Sequence, residues 1–299
     1  MNSYQRQFKD DIFSGIVDLI NSIWQPILIG YVVYFAFSKL MTFGILRLLG
    51  FTSIEEFTES YTALMLDQEA LLEWVQDLKT TVMQPEVLIY IIGGVIISFL
   101  VMSWSYYFSF KVAKHEINDG TVDVVTTFKE SISGKLLGLI GLSIVIAIMI
   151  WAVFIIAIVF STMVSPFLLV LFIPLTIFLG LKFFLAYPAY ALGNYSIKEA
   201  IAYSFEHLTV VRTLKIVAIG FGVMMGIVIF SAVLQQIAHL VKSVPLTYII
   251  VKSIFDFITG GFTLVIIVAA LTGLYYRYET MIEEADEFSI DDHLIDDDY

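Results

Sequence analysis

Cysteine is absent from the 299-residue sequence, which excludes a disulfide framework, a thiolate nucleophile and a cysteine metal site. Charged residues make up only 15% of the chain, whereas a soluble domain averages about 25%. The 16 lysines and arginines form no basic surface, so the sequence predicts no binding to nucleic acid. These scarcities argue against an ordinary soluble enzyme and against a nucleic-acid-binding protein.

Enzyme signatures are equally scarce. No Walker loop, GxGxxG fingerprint, GxSxG elbow or HExxH motif occurs in the sequence. The histidines show no metal-ligand spacing, and we expect each to be satisfied by packing or exposed: His115, His207, His239 and His293. The sequence therefore predicts no catalytic residue, no metal site and no cofactor.

Long apolar runs dominate what is present. Hydrophobic residues form 59% of the chain, and the mean hydropathy is +0.88. A bilayer core about 30 Å thick takes roughly 20 apolar helical residues to cross. The predicted spans are residues 26–49, 87–110, 136–160, 167–189, 216–240 and 254–277. We therefore expect an all-α integral membrane protein, with a six-span membrane domain over 1–277 and an acidic tail over 278–299.

Basic residues in short loops set the orientation of such a protein, because they stay on the cytoplasmic side. Ten basic residues fall on the side that holds both termini, against three on the other: Arg6, Lys9, Lys111, Lys114, Lys129, Lys135, Lys198, Arg212, Lys215 and Arg277, against Lys79, Lys242 and Lys252. This bias predicts that both termini are cytoplasmic. Aromatic residues at the ends of spans two and six, among them Trp104, Tyr107, Tyr275 and Tyr276, are expected to form an interfacial belt.

The cytoplasmic segments show a repeat. Each can form an amphipathic helix that lies in the membrane plane and leads into a pair of spans. The first carries apolar residues at helical spacing from Phe8 to Ile23, the second follows a turn and N-cap at 118–121, and the third follows a turn at 193–195. The pattern predicts three copies of an in-plane helix followed by a transmembrane hairpin.

A few polar residues interrupt the spans, and such groups are costly in lipid. Lys39 in span one and Asp256 in span six are expected to approach each other, with Gln235 and Gln236 of span five in the same polar zone. This candidate intramembrane polar site is either a path for a substrate or proton or a buried pair that fixes helix packing. Lys182 of span four is expected to extend toward the headgroups.

Residues 51–86 form the one sizeable extracytoplasmic segment. A capping box at 53–56 begins one predicted helix, and Asp67 is the expected cap of a second. The second helix carries an apolar stripe of Leu71, Val75 and Leu78, with Leu72 and Trp74 beside it. The segment is either a helical hairpin on the outer surface of the bundle or a docking site for a protein partner.

The tail at 278–299 holds ten acidic side chains and no basic one, which accounts for most of the net charge of −12. Blocks of like charge are usually solvated and disordered. Interleaved apolar residues, Phe288, Ile290, Leu294 and Ile295, leave open a short motif that folds on a basic protein partner.

The third cytoplasmic segment is distinctive. Ser196 and Glu199 form a predicted capping box, and the surrounding pattern is Gly193, Ser196, Glu199-Ala200, Ser204 and Leu208-Thr209. Residues 190–209 thereby resemble a signature of bacterial six-span membrane proteins, among them the membrane domain of some glycerophosphodiester phosphodiesterases and related uncharacterised families. The resemblance implies the inner membrane of a bacterium and an accessory or scaffold role. It carries over no catalytic residue, because residues 278–299 are too few for the phosphodiesterase barrel.

Together these observations predict a non-enzymatic inner-membrane protein that works as a scaffold or envelope-maintenance factor. Its expected contacts are membrane lipids and a protein partner at the acidic tail or at 51–86. The alternative is a transporter or channel for a small or lipidic solute, with Lys39 and Asp256 at its polar centre. An intramembrane lipid-modifying enzyme is a third, weaker hypothesis.

Overall fold

The computed structural model describes residues 3–64, 68–163 and 168–295. The chain is 89% helical, and these residues include no strand. Six helical segments in the described part are long and apolar enough to cross a membrane: Ile12–Leu48, Pro85–Asp119, Gly134–Thr162, Phe172–Leu192, Val210–His239 and Thr247–Ile282. The predicted all-α, multi-pass membrane fold is confirmed.

The described residues form twelve helices. In chain order they are α1 Ser3–Asp10, α2 Ile12–Leu48, α3 Ile54–Leu64, α4 Gln68–Val82, α5 Pro85–Asp119, α6 Val124–Ser131, α7 Gly134–Met163, α8 Leu168–Lys182, α9 Ala186–Leu192, α10 Ile197–His207, α11 Val210–His239 and α12 Pro245–Ile295. A short helix (α1, α6 or α10) precedes each pair of spans, which is the order that the predicted repeat requires. That these helices lie in the membrane plane stays a prediction.

The first predicted in-plane helix is only partly separate from its span. Asp11 interrupts the helix after α1, and its Oδ1 accepts hydrogen bonds from the backbone N–H groups of Phe13 and Ser14, at 3.1 and 3.3 Å. Asp11 thus caps α2, which then runs unbroken from Ile12 to Leu48. The expected span at 26–49 begins earlier because no turn separates its apolar residues from those before them.

The second span also exceeds its predicted bounds of 87–110. It begins at Pro85, a residue suited to the first turn of a helix, and continues to Asp119. Gly120 ends it with a φ of +67°, a left-handed conformation that favours glycine. The next helix, α6, is capped by Asp123 and not by a residue of the predicted turn, since Asp123 accepts from two backbone N–H groups of the first turn.

The fourth span, expected to be one helix over 167–189, is broken. The helix α8 ends at Lys182, a turn occupies 183–185, and α9 resumes at Ala186. Pro188 offers no N–H to the carbonyl of Phe184 four residues earlier, which interrupts the helix at this turn. The Ser204 hydroxyl of α10 binds the Lys182 carbonyl and the Leu185 N–H at the break. Broken helices persist in membranes only where such partners replace the lost backbone hydrogen bonds.

The last helix extends through most of the acidic tail, which was expected to be disordered. After Gly273 the sequence contains no glycine or proline to stop it, and α12 continues to Ile295. The tail is therefore helical in its described part. A protein partner for it stays a prediction.

The chain divides into two compact units, residues 1–30 with 106–299 (unit 1) and residues 31–105 (unit 2). In unit 1, α7 packs on α8, α11 on α12, α9 on α10 and α1 on α12. The side chain of Phe8 anchors α1, being fully buried and in contact with Gly15 and Gly273 as well as stacked on Tyr276. Glycine is needed at positions 15 and 273 because a methyl group there would meet the Phe8 ring.

Unit 2 contains the C-terminal half of α2, the first part of α5, and α3 with α4. An aromatic cluster of Phe51, Phe57, Tyr61 and Trp74 joins α3 to α4, with ring centroids 5.1 to 6.5 Å apart. The two expected helices of 51–86 are present and contact each other, with Trp74 in the cluster. That they lie on the outer surface of the bundle stays a prediction. Ser53 caps Glu56 as predicted, but the Glu56 carboxylate accepts from the backbone N–H of Thr52 instead of Ser53. Asp67 lies outside the described residues.

Candidate functional site

The turn between α9 and α10 is the meeting point of several helices of unit 1. At its C-terminal side the predicted capping box is present, with Glu199 N–H donating to Ser196 Oγ at 3.3 Å and Ser196 N–H donating to Glu199 Oε2 at 2.8 Å. Hydrogen bonds that Ser196 donates to the Glu199 carboxylate, first from its backbone N–H and then from its side chain, lower the pKa of the Glu199 carboxyl. The box fixes where α10 begins and therefore where the side chains of α10 point.

Tyrosines from α12 pack against this turn. We call Tyr195, Tyr203, Tyr275, Tyr276 and Glu279 the tyrosine junction. The Tyr195 hydroxyl donates to Glu279 Oε1 at 2.8 Å, across 84 residues of sequence. The Tyr203 ring lies 5.2 Å from that of Tyr195 and 5.8 Å from that of Tyr275. The junction thus ties the α9–α10 turn to α12.

Close approach at the junction explains Gly193. A methyl group on this residue would stand 2.8 Å from the Tyr275 hydroxyl oxygen and 2.6 Å from the carbonyl oxygen of Ala189. Both distances are shorter than carbon–oxygen packing allows, so only glycine lets α12 approach the turn this closely. The predicted turn glycine therefore serves helix contact, since its φ of −82° is open to other residues.

Two hydroxyls of the junction are held protonated, those of Tyr195 and Tyr203. Burial, followed by the hydrogen bond and the charge of Glu279, raises the pKa of Tyr195 to about 12. Burial and then the Glu279 charge also raise the pKa of Tyr203. Tyrosines held neutral donate hydrogen bonds and do not act as bases near pH 7. The rings also pack against one another, with centroids 5.2 to 5.8 Å apart.

Two lysines hold the other side of the turn. Lys114 of α5 donates to the carbonyl of Leu192 at 2.7 Å, and Lys135 of α7 donates to the carbonyl of Gly193 at 3.2 Å. Lys135 also reaches Asn194 Oδ1 at 3.4 Å. Cations favour the C-terminal end of a helix because its last carbonyls are unpaired. The lysines thus fix the end of α9 to two further helices.

The break at 183–185 has a similar clamp. Ser204 Oγ donates to the carbonyl of Lys182 at 2.6 Å and accepts from the Leu185 N–H at 3.1 Å. In return, the Lys182 ammonium donates to the carbonyl of Leu208 at the end of α10. Lys182 therefore binds a neighbouring helix, whereas the sequence led us to expect it to extend toward the headgroups.

A third polar cluster links α5 to α6. His115 Nδ1 lies 3.1 Å from Asp119 Oδ2, and His115 Nε2 lies 3.0 Å from Glu130 Oε2. Lys111 lies 3.7 Å from the same Glu130 oxygen. The hydrogen bond from His115, and then the nearby positive charges, lower the pKa of Glu130. Sequence spacing gave one signal for this cluster, the i,i+4 relation of His115 and Asp119.

The predicted intramembrane residues belong to different units, Lys39 to unit 2 and the others to unit 1. Lys39 is exposed in unit 2, where its ammonium stands 5.2 Å from the centre of the Phe35 ring. In unit 1, Asp256 is half-buried on α12, and Gln235 and Gln236 are exposed on α11. A pairing of Lys39 with Asp256 stays a prediction.

No group of three or more histidine, cysteine or acidic side chains fit to hold a metal ion occurs among the residues that the structure describes. An open depression of about 420 Å³ adjoins α1 and α2 in unit 1. The depression is shallow, and the residues that line it are mostly polar: Ser3, Tyr4, Gln7, Asp18, Asn21 and Ser22.

Comparison with known proteins adds nothing to these observations. No protein-family model matches the chain, and neither a curated protein nor a solved structure matches it. The resemblance of residues 190–209 to six-span families therefore stays a prediction, while the structure gives those residues a physical role as the joint of unit 1.

Proposed function

We propose that this protein is a non-enzymatic scaffold or envelope-maintenance factor in the inner membrane of a bacterium, with both termini cytoplasmic. In this role it presents fixed helices to other components of the membrane. Its specific contacts would be membrane lipids and a protein partner at the acidic tail or at the 51–86 hairpin.

The observation that carries the proposal is how unit 1 uses its polar side chains. Lys114, Lys135, Lys182 and Ser204 each bind backbone groups of another helix. Tyr195 binds Glu279 in the same manner. Polar groups inside or beside a membrane are expensive, and here they hold helix ends in place. Such an arrangement supports a fixed platform.

The partner can be tested by chemical cross-linking in the native membrane, followed by gentle purification and mass spectrometry. The full chain is compared with a variant lacking residues 283–299 and with Lys198→Gln, an exposed substitution that leaves the tail intact. We expect a stoichiometric protein partner with the full chain and with Lys198→Gln, lost with the truncation. If the protein partner is lost only when surface residues of the hairpin are replaced, the partner binds at 51–86.

The same measurement can overturn the proposal. A scaffold role would be contradicted if the full chain, the truncation and Lys198→Gln were each isolated from the native membrane without a stoichiometric protein partner. Correct folding of each form is checked by helix content and by protection of the Tyr195–Glu279 joint from proteolysis.

A transporter or channel remains the second candidate, because Asp256 is a half-buried carboxyl within a span of mean hydropathy 2.2. Intramembrane carboxyls commonly mark substrate or proton paths. In proteoliposomes, Asp256→Asn would abolish flux of the transported solute while leaving the protein folded. A variant that fails to accumulate would instead assign Asp256 to helix packing.

A further inference from the structure

Two ammonium groups converge at the end of α9 from different helices. Lys114 and Lys135 donate to the carbonyls of consecutive residues, Leu192 and Gly193, so their charges are neighbours. Each ammonium has three N–H donors. The bonds given above occupy one donor of Lys114 and two of Lys135. Donors therefore remain on both lysines after the turn has been fixed.

The local charge is not neutralised by acidic side chains. Within the described part of the chain, neither Lys114 nor Lys135 lies within ion-pair distance of a carboxylate. Lys111 adds a third cation on the same face of α5, three residues before Lys114. Glu130, which pairs with Lys111, is shared with His115. Half-buried Lys114 donates to a backbone carbonyl, and the positive charge of Lys135 is close enough to act on its ammonium group.

Hydroxyl groups adjoin these cations. The Tyr107 hydroxyl lies 3.5 Å from Ser133 Oγ, and Ser133 is two residues before Lys135. The Tyr107 ring also lies 6.0 Å from the Lys111 ammonium. Residues 107, 111 and 114 share one face of α5 by helical spacing, so this face offers a hydroxyl beside two cations.

The position along the spans is that of lipid headgroups. Lys114 lies in the last two turns of the span Pro85–Asp119, and Lys135 is the second residue of the span Gly134–Thr162. The ends of apolar spans lie at the boundary between hydrocarbon and water. Basic pockets between helices at this level bind anionic headgroups.

We propose that Lys114 and Lys135, supported by Lys111, form a binding site for a phosphate group at the membrane boundary. Paired ammonium groups and a hydroxyl supply the charge-assisted hydrogen bonds that phosphate oxygens accept. The phosphate belongs either to the headgroup of an anionic phospholipid or to a free phosphate compound. The site is independent of the proposed scaffold role, because it rests on unit 1 alone and needs no protein partner.

Native mass spectrometry of the full chain in nanodiscs tests the site. The nanodiscs contain equal amounts of phosphatidylglycerol and phosphatidylcholine, and retained lipids are counted on the released protein. We expect enrichment of phosphatidylglycerol on the wild type. Lys135→Gln should reduce it about fivefold, the effect of one lysine on attraction to an anionic headgroup.

Matched variants separate a site from general surface charge. Lys198→Gln removes the same charge from an exposed position of α10 and should change enrichment less than twofold. Lys135→Arg keeps the charge and should retain the lipid. Lys135 is exposed, so its variants are expected to fold. Lys114→Gln is informative only alongside these, since Lys114 also secures the end of α9.

The source of the phosphate follows from competition. If millimolar glycerol phosphate or inorganic phosphate displaces the retained phosphatidylglycerol and protects the wild type, but not Lys135→Gln, from thermal unfolding, the ligand is a free phosphate compound. If lipid enrichment persists under competition, the ligand is a phospholipid. Equal retention of both lipids by the wild type, or equal losses in Lys135→Gln and Lys198→Gln, would overturn the proposal.

Discussion

Unit 1 and unit 2 are both helical, but they are held together differently. In unit 1, side-chain hydrogen bonds join residues far apart in sequence, such as Tyr195 with Glu279 and Lys114 with Leu192. In unit 2, the threonine hydroxyls of α3 and α4 bind carbonyls four residues earlier in their own helix, as at Thr58 and Thr62. Contact between α3 and α4 is instead aromatic. Polar groups thus set the geometry of unit 1, whereas ring packing sets that of the hairpin.

The difference indicates in which unit individual polar side chains fix the positions of the helices. A hydrogen bond has a direction and a fixed partner, whereas apolar packing tolerates substitutions of similar volume. Unit 1 should therefore respond sharply to the loss of single polar atoms as well as to the loss of buried rings. Unit 2 should respond mainly to the loss of whole rings.

The largest effect is expected at Phe8, which is fully buried where α1 meets α12. Phe8→Ala should lower the free energy of unfolding by about 3–5 kcal/mol because it leaves a cavity between Gly15 and Gly273. Phe13→Ala is the control, since Phe13 is 59% exposed. Chemical denaturation in detergent measures both variants, and similar losses would show that α1 is not anchored through Phe8.

A smaller but still clear effect is expected at Ser204. Ser204→Ala leaves the Lys182 carbonyl and the Leu185 N–H without their shared partner, at a cost of about 1–3 kcal/mol. The matched change in unit 2, Thr62→Ala, also removes a hydroxyl bound to a carbonyl but should cost no more than about 0.5 kcal/mol. Hydrogen exchange at the backbone amides of residues 183–187 reports the break directly. Equal losses of unfolding free energy in Ser204→Ala and Thr62→Ala would contradict the difference between the units.

Alkaline pH should weaken unit 1 through Tyr195. Its pKa rises from 10.0 to about 12 on folding, so the stabilisation is complete below pH 10 and is lost as pH rises toward 12. Tyr195→Phe should flatten this part of the pH profile of the unfolding midpoint. Tyr61→Phe, which removes a hydroxyl from the aromatic cluster of unit 2, is the control. A profile unchanged by Tyr195→Phe would contradict the assignment.

The smallest effect is expected at Glu130, which is largely exposed. Its pKa is lowered from 4.5 by His115, so this contribution to stability is present above pH 4.5 and is lost as pH falls through the lower folded value. Glu130→Gln should make the rate of proteolytic cleavage near α6 less dependent on pH, as measured by limited proteolysis between pH 3 and 6. Glu59→Gln on α3 is the control in unit 2 and should leave cleavage near α6 unchanged.

Features set by nearby residues were predictable from the sequence. The six spans follow from runs of about 20 apolar residues, and the Ser196–Glu199 box from partners three residues apart. The break at 183–185 had one local signal, Pro188, but the partner that satisfies its backbone, Ser204, lies in another helix and was not predictable. Likewise, Tyr275 and Tyr276 were expected in an interfacial belt, but they are buried against the α9–α10 turn and α1. Span-end aromatics have the same composition in either role, and only tertiary packing distinguishes the two.

The length of α12 has a mechanical consequence. Its 51 residues rise to about 75 Å, more than twice the thickness of a bilayer core. From the contact at Tyr275 to its end at Ile295 the helix extends about 30 Å as a lever arm. A tilt of about 10° at the tyrosine contacts would then displace the acidic end by about 5 Å, by the geometry of a straight helix. A force applied to the acidic end would act on the α9–α10 turn through this arm of about 30 Å.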